Sequence, residues 1–296
     1  MSFLIPAIPE GSTLGLIAPA GPPTPGNLEK VPALLERHGY RAKLFPGCAG
    51  PAHLGHLAAS DEQRLADLHA AFADPEVDAV VCLRGGWGCA RLLDRIDAKL
   101  LKRHPKPLVG YSDITTLHGL RDQLGQPGWH APMPASDLLK SEADAKAFFA
   151  QLRQGAQAGD VLAPTMDEHA LNQGVSAHGR LVGGNLSVYA ALLGTDWQPK
   201  VKGAILFLED VAEAPYRVDR MLTQLRLAGV LDAAAGFLIG SFSDADSPDE
   251  VLADHLSHLG KPILAGWPSG HCSPNVALPL GVKVRLEVAQ KRLVLG

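Results

Sequence analysis

Cysteine is scarce. Only Cys48, Cys82, Cys89 and Cys272 occur in 296 residues, and none has CxxC spacing. A disulfide framework and a cysteine-based zinc site are both disfavoured. A basic surplus is missing too: 27 Lys and Arg stand against 31 Asp and Glu, a formal net charge of −4. Nucleic-acid binders normally carry a basic patch or stripe, so that class drops out. No window approaches the roughly 18 apolar residues of a membrane span. The first residues, Met1-Ser2-Phe3-Leu4-Ile5-Pro6, carry no basic stretch and no sustained apolar run. No targeting signal is read there, and a soluble, cytoplasmic protein without membrane contact is expected. No HExxH or similar pair stands out among the 12 His, so a metal hydrolase has little support. Neither metal nor cofactor is expected.

Apolar material is plentiful. Hydrophobic residues make up 46% and charged residues 20%, enough for a packed core and against disorder. At about 100–200 residues per domain, the length suggests two domains. Glycine (31) and proline (23) are frequent, so their placement matters.

The first half alternates short apolar runs with amphipathic stretches. Leu14 to Ala18, Tyr40 to Phe45, Val77 to Leu83 and Pro107 to Gly110 read as strands. Helices are expected from about Asn27 to His38, after Ser60 with its capping-box partner Gln63, through Leu92, Leu93 and Ile96, and from about Ile114 to Leu124. Such alternation implies a parallel sheet with helices on both faces, and ligands at the carboxyl ends of its strands. The glycine-rich turns at 84–88 and 110–113 lie at such ends. Residues 141–174, after a helix through Phe148, Phe149 and Leu152, lose any clear period and read as a linker. The remainder is mixed: Leu206 to Leu208 and Phe237 to Ile239 are short buried strands, Val218, Met221, Leu222 and Leu225 form a helix face, and Val282 to Leu295 a strand pair. The expected division is 1–140, a linker at 141–174, and 175–296.

Ser112 is the leading nucleophile candidate. Gly110-Tyr111-Ser112 sits at a strand-to-helix turn, like the first three positions of a nucleophile elbow, although Ile114 replaces the second glycine. Ser112 or Asp113 as a plain helix cap is the competing reading. Arg84-Gly85-Gly86-Trp87-Gly88 lets backbone approach a ligand, with the Gly86 N–H as an oxyanion donor; a phosphate cradle or a tight turn fits equally. Glu209, at a strand end, is suited to orienting a histidine, or is one of a solvated acid pair with Asp210. His271, in the turn-rich loop 268–275, is the candidate general base, or one more surface histidine. Asn185, after Gly183-Gly184, caps a helix or meets substrate.

Taken together and in order, several segments resemble the LD-carboxypeptidase family of serine peptidases, which includes the microcin C resistance hydrolases. They are Ile17-Ala18-Pro19-Ala20, Arg84 to Gly88, Gly110 to Thr115, His130 to Met133, Gly183 to Ser187, Leu208-Glu209-Asp210 with Tyr216 to Arg220, and Ser269-Gly270-His271. Trp87 stands where the family often has Tyr, and Ala131 where it often has Gly. The resemblance implies a flavodoxin-like, class I amidotransferase-like N-terminal domain and a smaller, swivelling β-rich α/β C-terminal domain, with the site in the cleft between them. It implies a metal-independent Ser112–His271–Glu209 triad, with an oxyanion hole from the N–H groups of Gly86 and Asp113. It also implies a homodimer.

The expected reaction is hydrolysis of the amide between an L centre, meso-diaminopimelate or Lys, and the terminal D-Ala of a murein tetrapeptide, in peptidoglycan recycling. Arg84, Arg217 and Arg220 are candidates for the substrate carboxylate, with Trp87 and Asn185 as further substrate contacts. The rival enzyme is a microcin C-type resistance hydrolase, which cleaves peptidyl- or aminoacyl-adenylate amides and needs an aromatic platform for the base. A non-enzymatic α/β ligand-binding module is the reading from another class.

Overall fold

The computed structural model describes residues 3–296; Met1 and Ser2 of the leader reading lie outside them. Two sheets organise the chain. The first runs Leu278–Leu280, Gly128–His130, Leu108–Val109, Ala79–Cys82, Thr13–Ile17, Arg41–Leu44. Its five N-terminal strands are parallel, and Leu278–Leu280 is the antiparallel edge. Counted along the chain, the parallel strands lie in the order 2-1-3-4-5. That order reverses between Thr13–Ile17 and Ala79–Cys82, where doubly wound sheets open a crevice at their carboxyl ends.

The second sheet runs Ile263–Leu264, Gly236–Ser243, Ile205–Val211, Ser176–Asn185, Lys283–Glu287, Arg292–Leu295, Val161–Leu162. Its first four strands are parallel and the rest antiparallel. With a small antiparallel pair, Phe3–Ile5 with Ala156–Gln157, beside these two large sheets, the chain is an α/β structure, as its strand–helix alternation implies.

Strand alternation explains the cores. Ala79 and Val81 enter one apolar cluster while Val80 and Cys82 enter another. Ile205 and Phe207 share the first of those clusters, whereas Leu206 and Leu208 belong to a third. Each of these strands is therefore buried on both faces, as parallel strands are. Because Val81 and Phe207 belong to one continuous cluster, apolar packing joins the two sheets.

Several local expectations shift. Ser60 caps the helix Asp61–Ala73 by accepting from the Gln63 N–H at 3.2 Å. The Gln63 side chain does not return to Ser60; it reaches Asp67 at 2.7 Å. The expected helix at 27–38 divides into a 3-10 turn, Leu28–Lys30, and an α-helix, Val31–Arg37. The segment through Leu92 and Leu93 is a 3-10 helix, Cys89–Arg95. Within 141–174, the helix Glu142–Gln154 is capped by Ser141, and Val161–Leu162 extends the second sheet.

Candidate active site

Ser112 follows the central strand Leu108–Val109 and begins a 3-10 turn, Ser112–Ile114, that runs into the helix Thr115–Gln123. Its φ is +63°, the left-handed region. A non-glycine residue there carries strain of order 1–2 kcal/mol, which surrounding structure must hold in place. The turn is held from below: the Gly110 carbonyl accepts from His118 Nε2 at 2.8 Å. Asp113 is buried and its Oδ2 accepts the Cys89 N–H at 2.8 Å. Burial raises the Asp113 carboxyl, with the N–H of Cys89 opposing. Asp113 therefore ties the serine turn to the end of the 84–88 loop.

That loop presses against Ser112. A Cβ on Gly85 would lie 2.7 Å from Ser112 Cβ and 2.8 Å from its Oγ, so only glycine fits. Gly86 has φ +114° and is solvent-exposed. A developing oxyanion beside Ser112 would also meet the positive end of the Thr115–Gln123 helix.

Glu209 comes from the other sheet. It lies inside the strand Ile205–Val211, at a register shift that sets Gly240 and Ser241 opposite this one residue. Bulges of this kind re-aim a side chain. The Glu209 carboxylate is fully buried. Oε2 accepts from His271 Nδ1 at 2.8 Å and from the His271 backbone N–H at 3.3 Å. The His271 carbonyl accepts from Ser243 Oγ at 2.8 Å, and its ring lies 4.8 Å from that of Tyr111. With Nδ1 donating to Glu209, Nε2 is the free basic nitrogen.

The charges of this pair follow. Burial alone would raise Glu209, but the nearby His130 ring and the hydrogen-bonded His271 outweigh it and hold the carboxyl at about 2. Burial alone would lower His271, but the Glu209 carboxylate prevails and raises it above its ordinary 6.5. Asp210, pushed up to about 6 by burial, faces away: it accepts Asn185 Nδ2 and the N–H groups of Ser187 and Val211, each at 2.8 Å.

Ser112 and His271 line one cavity of about 450 Å³ with Thr24, Arg84, Gly86 and Tyr111. Its far wall is a single π turn, Pro134–Leu138, which contributes Ser136 and Asp137, with Lys140 just beyond. The Tyr111 hydroxyl donates to Asp137 at 3.1 Å. The cavity sits at the carboxyl ends of the first sheet's strands, as the order reversal requires. Neither Arg84 nor Lys140 forms a salt bridge among the described residues. Both leave cationic charge available at the cleft.

The other sequence candidates lie elsewhere. Asn185 is buried, caps the helix Leu186–Ala191 by accepting from Val188 N–H, and holds Asp210. Arg217 and Arg220 ride on the helix Pro215–Leu227, where Arg217 pairs with Glu213 at 3.7 Å. Trp87 is 43% exposed on the glycine loop. Trp129 and Trp267 are core residues, and Trp197 packs in a small satellite cluster. The sequence reading had no place for Asp137, Lys140 or Tyr111 as cleft residues. Tyr111 stood inside the quoted turn; nothing in the spacing signalled the other two.

The comparisons with known proteins converge. The LD-carboxypeptidase N-terminal domain model matches residues 14–131, and the LD-carboxypeptidase C-terminal domain model matches residues 178–286. The chain is 40% identical to a probable murein peptide carboxypeptidase of Bacillus subtilis, over 98% of this chain and 93% of that protein. A muramoyltetrapeptide carboxypeptidase from Oxalobacter formigenes superposes with a TM-score of 0.85 at 30% identity, covering 96% of this chain and 99% of that one. The microcin immunity protein MccF, in complex with glutamyl sulfamoyl guanosine, shares the fold at TM-score 0.89 and 21% identity, with 99% and 98% covered. From both halves of its length, this chain belongs to the LD-carboxypeptidase family of peptidases.

Proposed function

We propose that the protein is a serine LD-carboxypeptidase that removes the terminal D-Ala of murein tetrapeptides by cleaving its amide to meso-diaminopimelate or Lys. One observation carries the chemistry: a strained serine after a strand of the first sheet and a loop histidine braced by a carboxylate of the second share one cavity. His271 Nε2 takes the Ser112 proton as Oγ attacks the carbonyl carbon. Glu209 keeps the imidazole in its Nδ1–H tautomer and stabilises the imidazolium. The N–H groups of Gly86 and Asp113 receive the oxyanion; such a donor is worth about 2.7–4 kcal/mol in the transition state. His271 then protonates the departing amine, and water, deprotonated by His271, hydrolyses the acyl-enzyme. No metal takes part in this scheme.

A carboxypeptidase must hold a free carboxylate. Arg84 and Lys140, both on the cavity and without acidic partners among the described residues, are suited to it. Residues 1–140 would then supply the nucleophile and 175–296 the acid and base, with 141–174 as connector. The family resemblance supports a cytoplasmic homodimer acting in peptidoglycan recycling. No helix among the described residues is long and apolar enough to cross a membrane.

The microcin-type alternative needs a surface on which a nucleobase stacks. Among the residues lining the cavity, Tyr111 is the one Phe, Tyr or Trp, and its ring already packs against His271. Arg84 and Lys140 on the same lining suit a peptide's terminal carboxylate, which favours the murein peptide. The deciding experiment gives the wild-type protein a murein tetrapeptide and, separately, an aminoacyl sulfamoyl adenosine. Release of D-Ala from the first, with slow turnover of the second, supports the reading. The reverse preference selects the microcin-type activity.

A further inference from the structure

Glu209 has two carboxylate oxygens, and the triad uses one. Oε2 takes both bonds from His271, while Oε1 is buried and has no hydrogen-bond partner among the described residues. An unpartnered buried carboxylate oxygen costs several times what an ordinary hydrogen bond contributes, so it calls for an explanation.

The nearest candidate is His130. Its Nε2 stands 3.8 Å from Glu209 Oε1, and both side chains are fully inaccessible to solvent. Neither ring nitrogen of His130 has another partner among the described residues. The ring is wedged edge-on between Phe207, 5.0 Å away, and Tyr111, 5.5 Å away. Those two rings come from the residue before Ser112 and the residue two before Glu209. His130 itself ends the strand Gly128–His130, next to the strand that delivers Ser112. Two complementary polar groups, each otherwise alone in an apolar shell, thus face one another. The gap exceeds a hydrogen bond by less than 1 Å, and contacts of this kind often tighten only when substrate binds.

We propose that His130 is a positioning residue, whose Nε2–H donates to Glu209 Oε1 and fixes the carboxylate plane that aims His271. Held at both oxygens, Glu209 keeps one rotamer and stays ionised while His271 cycles between base and acid. The inference rests on the Ser112–His271–Glu209 reading and adds a fourth side chain to it. It assigns a role to the histidine of the His130 to Met133 segment, which carried none in the sequence.

The titratable groups around the pair are His271, Asp210 and Cys272, Tyr111 with Asp137 behind it, and His118 on the helix below. None of these offers Oε1 a hydrogen bond.

The test compares His130→Phe, which keeps a ring and removes the donor, with His130→Gln, which restores an N–H near the Nε2 position. In His130→Phe, kcat should fall about 10–100-fold, the usual effect of losing an orienting partner, while KM holds. The acid limb of the kcat/KM profile, set by His271, should move to higher pH, because a Glu209 carboxylate without this donor holds the His271 proton more strongly. His130→Gln should recover most of both. An unmoved acid limb in His130→Phe, or a folded His130→Gln no better than His130→Phe, overturns the proposal. Should the Phe variant fail to fold, 15N NMR of the wild-type ring decides: a proton on Nε2 at neutral pH is required, and an unprotonated Nε2 refutes the role. Ser112→Ala separates the two ideas. If it retains full activity, the serine mechanism itself fails; if it is inactive while the His130→Phe profile is unmoved, the His130 role alone fails.

Discussion

Gly270 stands where any side chain would strike Glu209: a Cβ there would lie 2.5 Å from Oε2, the oxygen that holds His271. Its φ of +112° is also closed to most L-residues. The loop that carries His271 can approach Glu209 only because this residue is glycine. Gly270→Ala should cost about 1–3 kcal/mol of stability from backbone strain. It should also lose most of its kcat, because the His271–Glu209 contact opens. Denaturant unfolding and steady-state kinetics on the same variant read both effects.

Gly85 packs directly on the candidate nucleophile. Its backbone is not in the left-handed region, so alanine is conformationally acceptable there. The added methyl would meet Ser112 itself, at 2.7 Å from Cβ. Displacing the serine by a fraction of that distance should lower kcat by about 100-fold. The forced shift at this buried position should lower the thermal midpoint as well, and a melting curve beside the kinetics reads both effects.

The Ser112 backbone offers a stability–activity contrast. Glycine usually destabilises relative to alanine by about 0.5–1 kcal/mol through the unfolded chain. At φ +63° that order should vanish or reverse, since glycine relieves about 1–2 kcal/mol of strain. Ser112→Gly should be at least as stable as Ser112→Ala in chemical denaturation, and both should be inactive.

The pH dependence has two parts of opposite sign. Glu209 is held at about 2, below its ordinary 4.5, so its contribution to stability is complete above 4.5 and is lost as pH falls towards 2. His271 is raised above 6.5, so its contribution is complete below 6.5 and is lost as pH rises through its folded value. Catalysis requires the neutral imidazole, so kcat/KM should rise with pH through a value above 6.5. In Glu209→Gln the main raising influence on His271 is gone. The acid limb should then shift to lower pH while the plateau falls sharply; a pH–rate profile of both proteins measures it.

The parts of this site that were legible in the sequence are those where short apolar runs stop, although the strand itself continues past Glu209 to Val211. Gly110-Tyr111-Ser112, Glu209 and the Ser269-Gly270-His271 loop stand at the ends of short apolar runs, and glycines mark the turns. The parts that were hidden depend on contacts distant in sequence. The left-handed φ of Ser112 and its close packing against Gly85 do not follow from local propensity. The register shift at Glu209 arises from the neighbouring strand Gly236–Ser243. Leu278-Pro279-Leu280 pairs across into the first sheet despite its proline, which an edge strand tolerates. His130 faces Glu209 across 79 residues of chain, so no spacing rule could link them. The 3-10 helix at Cys89–Arg95 stands where the apolar spacing suggested an α-helix, and its first N–H is held by Asp113, 24 residues further along the chain.

The central claim is that Ser112 performs the cleavage with His271 and Glu209. The most direct measurement is D-Ala release from a murein tetrapeptide by the wild type and by Ser112→Ala, each with and without a chelator. The account predicts rapid, chelator-insensitive release by the wild type and loss of at least about 1,000-fold in Ser112→Ala. Undiminished release by Ser112→Ala, or release abolished by the chelator, would contradict it.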